Sequence, residues 1–144
     1  MDKIEHIGIA VKDLEKSYEF YKNGLGLVTG EEFNKPEDGI VFFKMKFTVL
    51  ALFPHDQLAK DLGEKFRGGK AGFSGVTLAH NTNSDEEVDT VLAEAIKAGA
   101  KLEKPAQRAE WGGYSGYFSD PDGHLWEVAC GTTPLNSDGS VPIP

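Results

Sequence analysis

The chain has 144 residues, 40% of them hydrophobic and 26% charged, with a formal net charge of −8. That length suits one domain burying roughly two thirds of the surface its unfolded form exposes. The acidic balance without a basic stripe argues against nucleic acid, no window approaches the apolar run of a membrane span, and the lone Cys130 excludes an internal disulfide.

The start, Met1-Asp2-Lys3-Ile4-Glu5, has no basic n-region followed by an apolar stretch, so a cytoplasmic address is expected. Residues 4–11 read as a strand whose odd positions Ile7, Ile9 and Val11 form an aliphatic face, while Ile4, His6, Gly8 and Ala10 line the other. A helix can roof the first face, and the second can line a cavity. Asp13 is the expected N-cap of a helix with a stripe of Leu14, Tyr18, Tyr21 and Leu25, stopped at Gly24. Strands are expected at 27–32, 39–44 and 46–53, with Asn34, Pro36, Asp38 and Gly39 as turn residues.

Between 54 and 72 a short helix at 57–62 precedes the run Phe66-Arg67-Gly68-Gly69-Lys70-Ala71-Gly72. A phosphate-cradling loop would end in GKS or GKT after a buried strand, and this one does not, so the segment reads as a connection. The order then repeats, with a strand at 73–79, a helix at 84–98, a stop at Gly99 and strands at 101–103, 113–119 and 125–130. In the second helix Ser84 and Glu87 make a capping box, and Val88, Val91, Leu92, Ala95 and Ile96 give one apolar face. Asp120-Pro121-Asp122-Gly123 is a turn by composition, and the tail 131–144 reads as irregular. One domain of two tandem βαβββ modules is expected, α+β in class, with module 1 at about 1–53, the connection at about 54–72, module 2 at about 73–130 and the tail beyond.

The span from Ile4 to Ala129, and above all the run Gly112-Gly113-Tyr114-Ser115-Gly116-Tyr117-Phe118-Ser119-Asp120-Pro121-Asp122-Gly123-His124-Leu125-Trp126-Glu127-Val128-Ala129, resembles the vicinal-oxygen-chelate superfamily of glyoxalases, bleomycin-resistance proteins and extradiol dioxygenases. The resemblance implies a curved cleft of two sheets with helices outside, and a homodimer. In metal-dependent members, the first and last strands of each module supply ligands to a divalent ion such as Zn, Ni, Fe or Mn. Carried over, His6 holds the first strand's histidine place and Glu127 the final carboxylate place, where it is also the candidate proton carrier. Ser74 falls at the second module's first-strand place, and Leu50, Ala51 or Leu52, with Ala51 the best alignment, at the first module's last-strand place. None of these replaces a strong ligand.

His55, His80 and Glu110 are not aimed at His6 and Glu127 by any spacing; His124 belongs to the turn, and His80 is expected to end a strand. Trp111 and Tyr114, flanking Gly112 and Gly113, are candidates for the cleft mouth, while core packing is favoured for Phe118. Phe42, Phe43, Met45 and Phe47 offer further apolar wall. Arg67, Lys70 and Arg108 are read as solvated cations.

Three functions compete. A degenerate metal site and the aromatic supply favour a protein that binds an aromatic or amphipathic small molecule through His6, Ser74, Trp111, Tyr114 and Glu127. The alternative is a divalent-metal-dependent lyase, isomerase or dioxygenase using His6 and Glu127. A pure interaction module is the third, since fold does not determine function.

Overall fold

The computed structural model describes residues 1–30, 35–69 and 72–143. Its chain divides into two compact units, Met1–Ser74 and Gly75–Pro144. Asn34, Lys70, Ala71 and the end of the strand expected at 27–32 lie outside the described residues.

In the first unit, β1 (His6–Val11) leads into α1 (Leu14–Glu19), capped by the Asp13 carboxylate, which accepts from the Lys16 amide at 3.0 Å. A π-helical turn, Phe20–Gly24, continues the helix. Because a π turn holds more residues than an α turn, it shifts the expected stripe. Ser17, Phe20 and Tyr21 are buried, whereas Leu14, Tyr18 and Leu25 are only half-buried. β2 (Val28–Thr29), β3 (Val41–Lys44) and β4 (Val49–Pro54) complete the sheet, in the order β1-β4-β3-β2. β1 and β4 run parallel, and the other pairs are antiparallel.

Pairing of Ile7 with Leu50 and Ile9 with Leu52 puts those side chains on one face. Phe43 joins them, 6.4 Å from the Tyr18 ring and 6.0 Å from Tyr21, so α1 and its π turn roof this side. The odd-numbered aliphatic face expected for β1 is thus the core face. After β4 the chain forms α2 (His55–Leu62), two residues longer at its start than expected, and a short 3-10 turn, Glu64–Phe66.

The second unit repeats the plan with β5 (Thr77–Thr82), α3 (Asp85–Lys97), β6 (Lys101–Arg108), β7 (Tyr114–Ser119) and β8 (Leu125–Cys130), ordered β5-β8-β7-β6. α3 begins as expected, with Ser84 accepting from the Glu87 amide at 3.1 Å. The Glu87 carboxylate reaches one residue beyond the cap, to the Asn83 amide at 2.9 Å. Val88, Leu92 and Ala95 are buried against the sheet, but Ile96, expected on the same face, is exposed.

β3 and β4 start at Val41 and Val49, later than the expected 39 and 46, while β5 and β6 depart further from expectation. β5 starts at Thr77 rather than at 73, because Gly75 takes φ +84°, which interrupts an extended path. His80 therefore lies inside the strand instead of ending it. β6 is eight residues long, running through Pro105 with two register shifts. Proline is tolerated there because β6 is an edge strand.

Asp120 to Gly123 turns as read. The Asp120 carboxylate accepts from the Asp122 and His124 amides, both at 2.9 Å, and Gly123 adopts φ +85°. Among the described residues no helix is long and apolar enough to cross a membrane.

Candidate functional site

Strand alternation leaves each sheet with a second face, away from its helix, and the candidate residues divide between these faces and the loops. In the first unit that face carries His6, Gly8 and Ala10 from β1, Ala51 and Phe53 from β4, and Phe42 from β3, which pairs with Ala51. The exposed His6 ring meets Phe42 edge-on at 5.6 Å and stacks on Phe53 at 6.2 Å. Gly8 leaves room for this arrangement, since a Cβ there would approach Phe53 Cε2 to 3.2 Å. The imidazole is thus oriented by aromatic contacts. A histidine built to bind metal usually donates its second nitrogen to a carboxylate or carbonyl, and His6 makes no such bond among the described residues.

In the second unit the corresponding face holds Thr77, Ala79 and Asn81 from β5, Glu127 and Ala129 from β8, and Ser115 and Tyr117 from β7. Tyr117 pairs with Glu127 across the β7–β8 ladder, which puts the two side chains on the same face. Burial first, then the negative charge of Glu127, hold the Tyr117 hydroxyl above the usual tyrosine range.

The two faces correspond position by position. His6 and Thr77 are the first residues of six-residue strands, and each stands seven residues before its helix cap, Asp13 or Ser84. Ala51 and Glu127 are the third residues of their strands, and Phe42 and Tyr117 lie opposite them. Ser74, expected on the first strand of the second module, precedes β5 by three residues, so Thr77 takes that place. The four positions thus offer an imidazole, a carboxylate, a neutral hydroxyl and a methyl group. Each unit thus offers one strong donor at its two matched positions. Among the described residues no three His, Cys, Asp or Glu side chains are grouped to share an ion.

Trp111 and Tyr114, expected together at the cleft mouth, part company. The Tyr114 hydroxyl donates to Asp89 of α3 at 2.8 Å, and the Arg108 guanidinium lies 5.3 Å over its ring, so Tyr114 sits on the helix side, opposite Glu127. The bond to Asp89, then burial, also raises the Tyr114 hydroxyl. Trp111 instead folds its half-exposed ring over Gly113, where a Cβ would come within 1.8 Å of it.

Arg108 pairs with Asp85, and Arg67 with Glu64 at 2.7 Å and Asp56 at 3.0 Å, so both cations are committed to surface ion pairs. Phe43 is core, and Phe47 is exposed. Sequence reasoning missed Tyr117 as the partner of Glu127. The register that sets 117 opposite 127 is carried by the loop at 120–124, which closes with the Asp120 amide on the His124 carbonyl.

The model of the Glyoxalase/Bleomycin resistance protein/Dioxygenase superfamily matches residues 3–128. The chain is 31% identical to the uncharacterized protein YraH of Bacillus subtilis, over 88% of this chain and 96% of that one. It is 30% identical to the metallothiol transferase FosB of Lysinibacillus sphaericus, over 92% and 84%. A crystal structure of a glyoxalase-related enzyme from Fulvimarina pelagi superposes with a TM-score of 0.83 at 33% identity, covering 99% of both chains.

Proposed function

The chain belongs to the Glyoxalase/Bleomycin resistance protein/Dioxygenase superfamily, and from that premise we propose that it binds a small aromatic or amphipathic molecule without a tightly held metal. One observation carries this reading: Ala51 and Thr77 stand at the matched positions of His6 and Glu127 in the repeat, leaving two strong donors of four. Such a site leaves most of a coordination shell to water, and its affinity falls accordingly. The ring cluster of His6, Phe42 and Phe53 supplies apolar and stacking surface. Within the second unit, Tyr117 and Glu127, facing each other on β7 and β8, supply polar groups.

The purified protein is expected to hold less than one equivalent of transition metal by elemental analysis, and small aromatics, antibiotics or 2-oxo compounds to raise its melting temperature. Stoichiometric Zn, Ni, Fe or Mn that is lost on His6→Ala would instead establish the second reading, a divalent-metal-dependent lyase, isomerase or dioxygenase. That reading is favoured by the survival of His6 and Glu127 and by the likeness to a metallothiol transferase. In it, Glu127 is the residue that would move a proton, with Tyr117 opposite it on β7. We also propose that the chain acts as a homodimer, as its family resemblance implies.

A further inference from the structure

A cavity of about 490 Å³ lies within the second unit, walled by Asn81 of β5, Trp111 of the β6–β7 turn and Leu135, Val141, Pro142 and Ile143 of the tail. Its volume falls in the range that takes small ligands, about 300–1000 Å³. No described lining residue is ionised at neutral pH; the polar groups are the Asn81 amide and the Thr132 and Thr133 hydroxyls.

Both walls are tied in place. The Trp111 turn is closed by the Ala109 amide on the Gly113 carbonyl at 2.7 Å and the Gly112 amide on the Ala109 carbonyl at 2.9 Å. Arg108 adds a contact to the Gly112 carbonyl and is itself paired with Asp85. On the tail side, the Asn136 amide donates to the Ser140 carbonyl at 3.0 Å and the Gly139 amide to the Asn136 carbonyl at 2.7 Å. These bonds hold an apolar surface open to water: Trp111 is 56% exposed and Val141 51%. Covering it yields roughly 25 cal/mol per Å² of apolar area.

The cavity stands at one end of the face that carries Glu127. Asn81 pairs with Ala129, two residues along from the Ala79–Glu127 pair, about 7 Å at strand spacing. We propose that the tail and Trp111 form a subsite for an uncharged aromatic ring, adding apolar surface beside Glu127 in the second unit; the inference rests on the ligand-binding reading above. A charged ring would lose hydration there without meeting a counter-charge.

The two tryptophans provide the test, because Trp126 is only 8% exposed and stacks on Phe118 at 6.2 Å. In the full-length ¹⁵N-labelled protein, titration with 2-naphthol is expected to move the Trp111 indole N–H signal saturably and leave that of Trp126 in place. 2-Naphthoate is expected to bind on the order of tenfold more weakly or worse. Leu135→Glu is expected to abolish the 2-naphthol response while the Trp126 signal confirms the fold, and Trp111→Leu to weaken 2-naphthol binding measured by calorimetry. A silent Trp111, or equal binding of the neutral and anionic rings, overturns the subsite. Thermal-shift hits that depend on His6 and Glu127 beside a silent Trp111 overturn it while leaving the ligand-binding reading standing. A Trp111 response to 2-naphthol that is unchanged in His6→Ala and Glu127→Gln supports the subsite and confines ligand binding to it.

Discussion

Tyr117 and Gly116 are neighbours on β7 with opposite duties, one facing Glu127 and the other facing α3. Because Tyr117 ionises above the ordinary tyrosine range, the folded chain keeps a proton that the unfolded chain loses near pH ~10. Stability is therefore unaffected by this group below that value and falls as the pH climbs through it. Tyr117→Phe is expected to reduce the drop in melting temperature between about pH 9 and pH 11. The remaining drop is assigned to Tyr114, whose hydroxyl is raised by Asp89. An unchanged drop in Tyr117→Phe would mean that burial and the charge of Glu127 do not raise the phenol.

Gly116 has no such freedom to change: a Cβ there would lie 2.7 Å from Leu92 Cδ1, 2.9 Å from the Ala106 nitrogen and 3.0 Å from the Lys104 oxygen. Leu92 can turn aside, but two backbone atoms of the bulged edge strand cannot do so cheaply. Gly116→Ala is expected to destabilise the protein by about 1–3 kcal/mol in chemical denaturation, and a neutral result would show that β6 yields. At this scale the strand positions of His6 and Glu127 were legible, because both lie in strands where the local pattern put them. Tyr117 escaped because its significance lies in a cross-strand partner ten residues away.

Among the elements, α3 was the most legible, and its cap invites a direct measurement. Ser84→Ala removes the side-chain acceptor of the Glu87 amide and is expected to cost about 1 kcal/mol. Ser84→Gly is expected to cost only a few tenths, and equal losses would argue that the cap bond contributes little. α1 was harder to read, since local periodicity assumes α geometry and the π turn at Phe20–Gly24 breaks it to seat the adjacent rings of Phe20 and Tyr21, 4.9 Å apart. β6 was hidden by Pro105 and a polar sequence, both acceptable on an edge strand, where one side needs no partner. β5 was displaced by Gly75, whose left-handed backbone is a property of the folded path.

For the whole molecule the repeat remains the organising fact: two sheets of identical strand order, each with one parallel pair and a helix on one face. The proposed homodimer predicts sedimentation at about twice the 15.7 kDa chain mass at micromolar protein, and a 15.7 kDa species would count against it. The amino-acid sequence by itself determined the class, the tandem order, the helix cap at Ser84, the turn at Asp120 and the retention of one strong donor per module, all of which follow from periodicity, local hydrogen bonding and residue type. Only the tertiary structure decided that Thr77 rather than Ser74 matches His6, that Tyr117 rather than Tyr114 accompanies Glu127, and that the tail makes a wall for Trp111. Each of those depends on strand register, and register is set by pairing between distant segments, whereas a one-residue slip that reverses every side chain leaves local propensity almost unchanged.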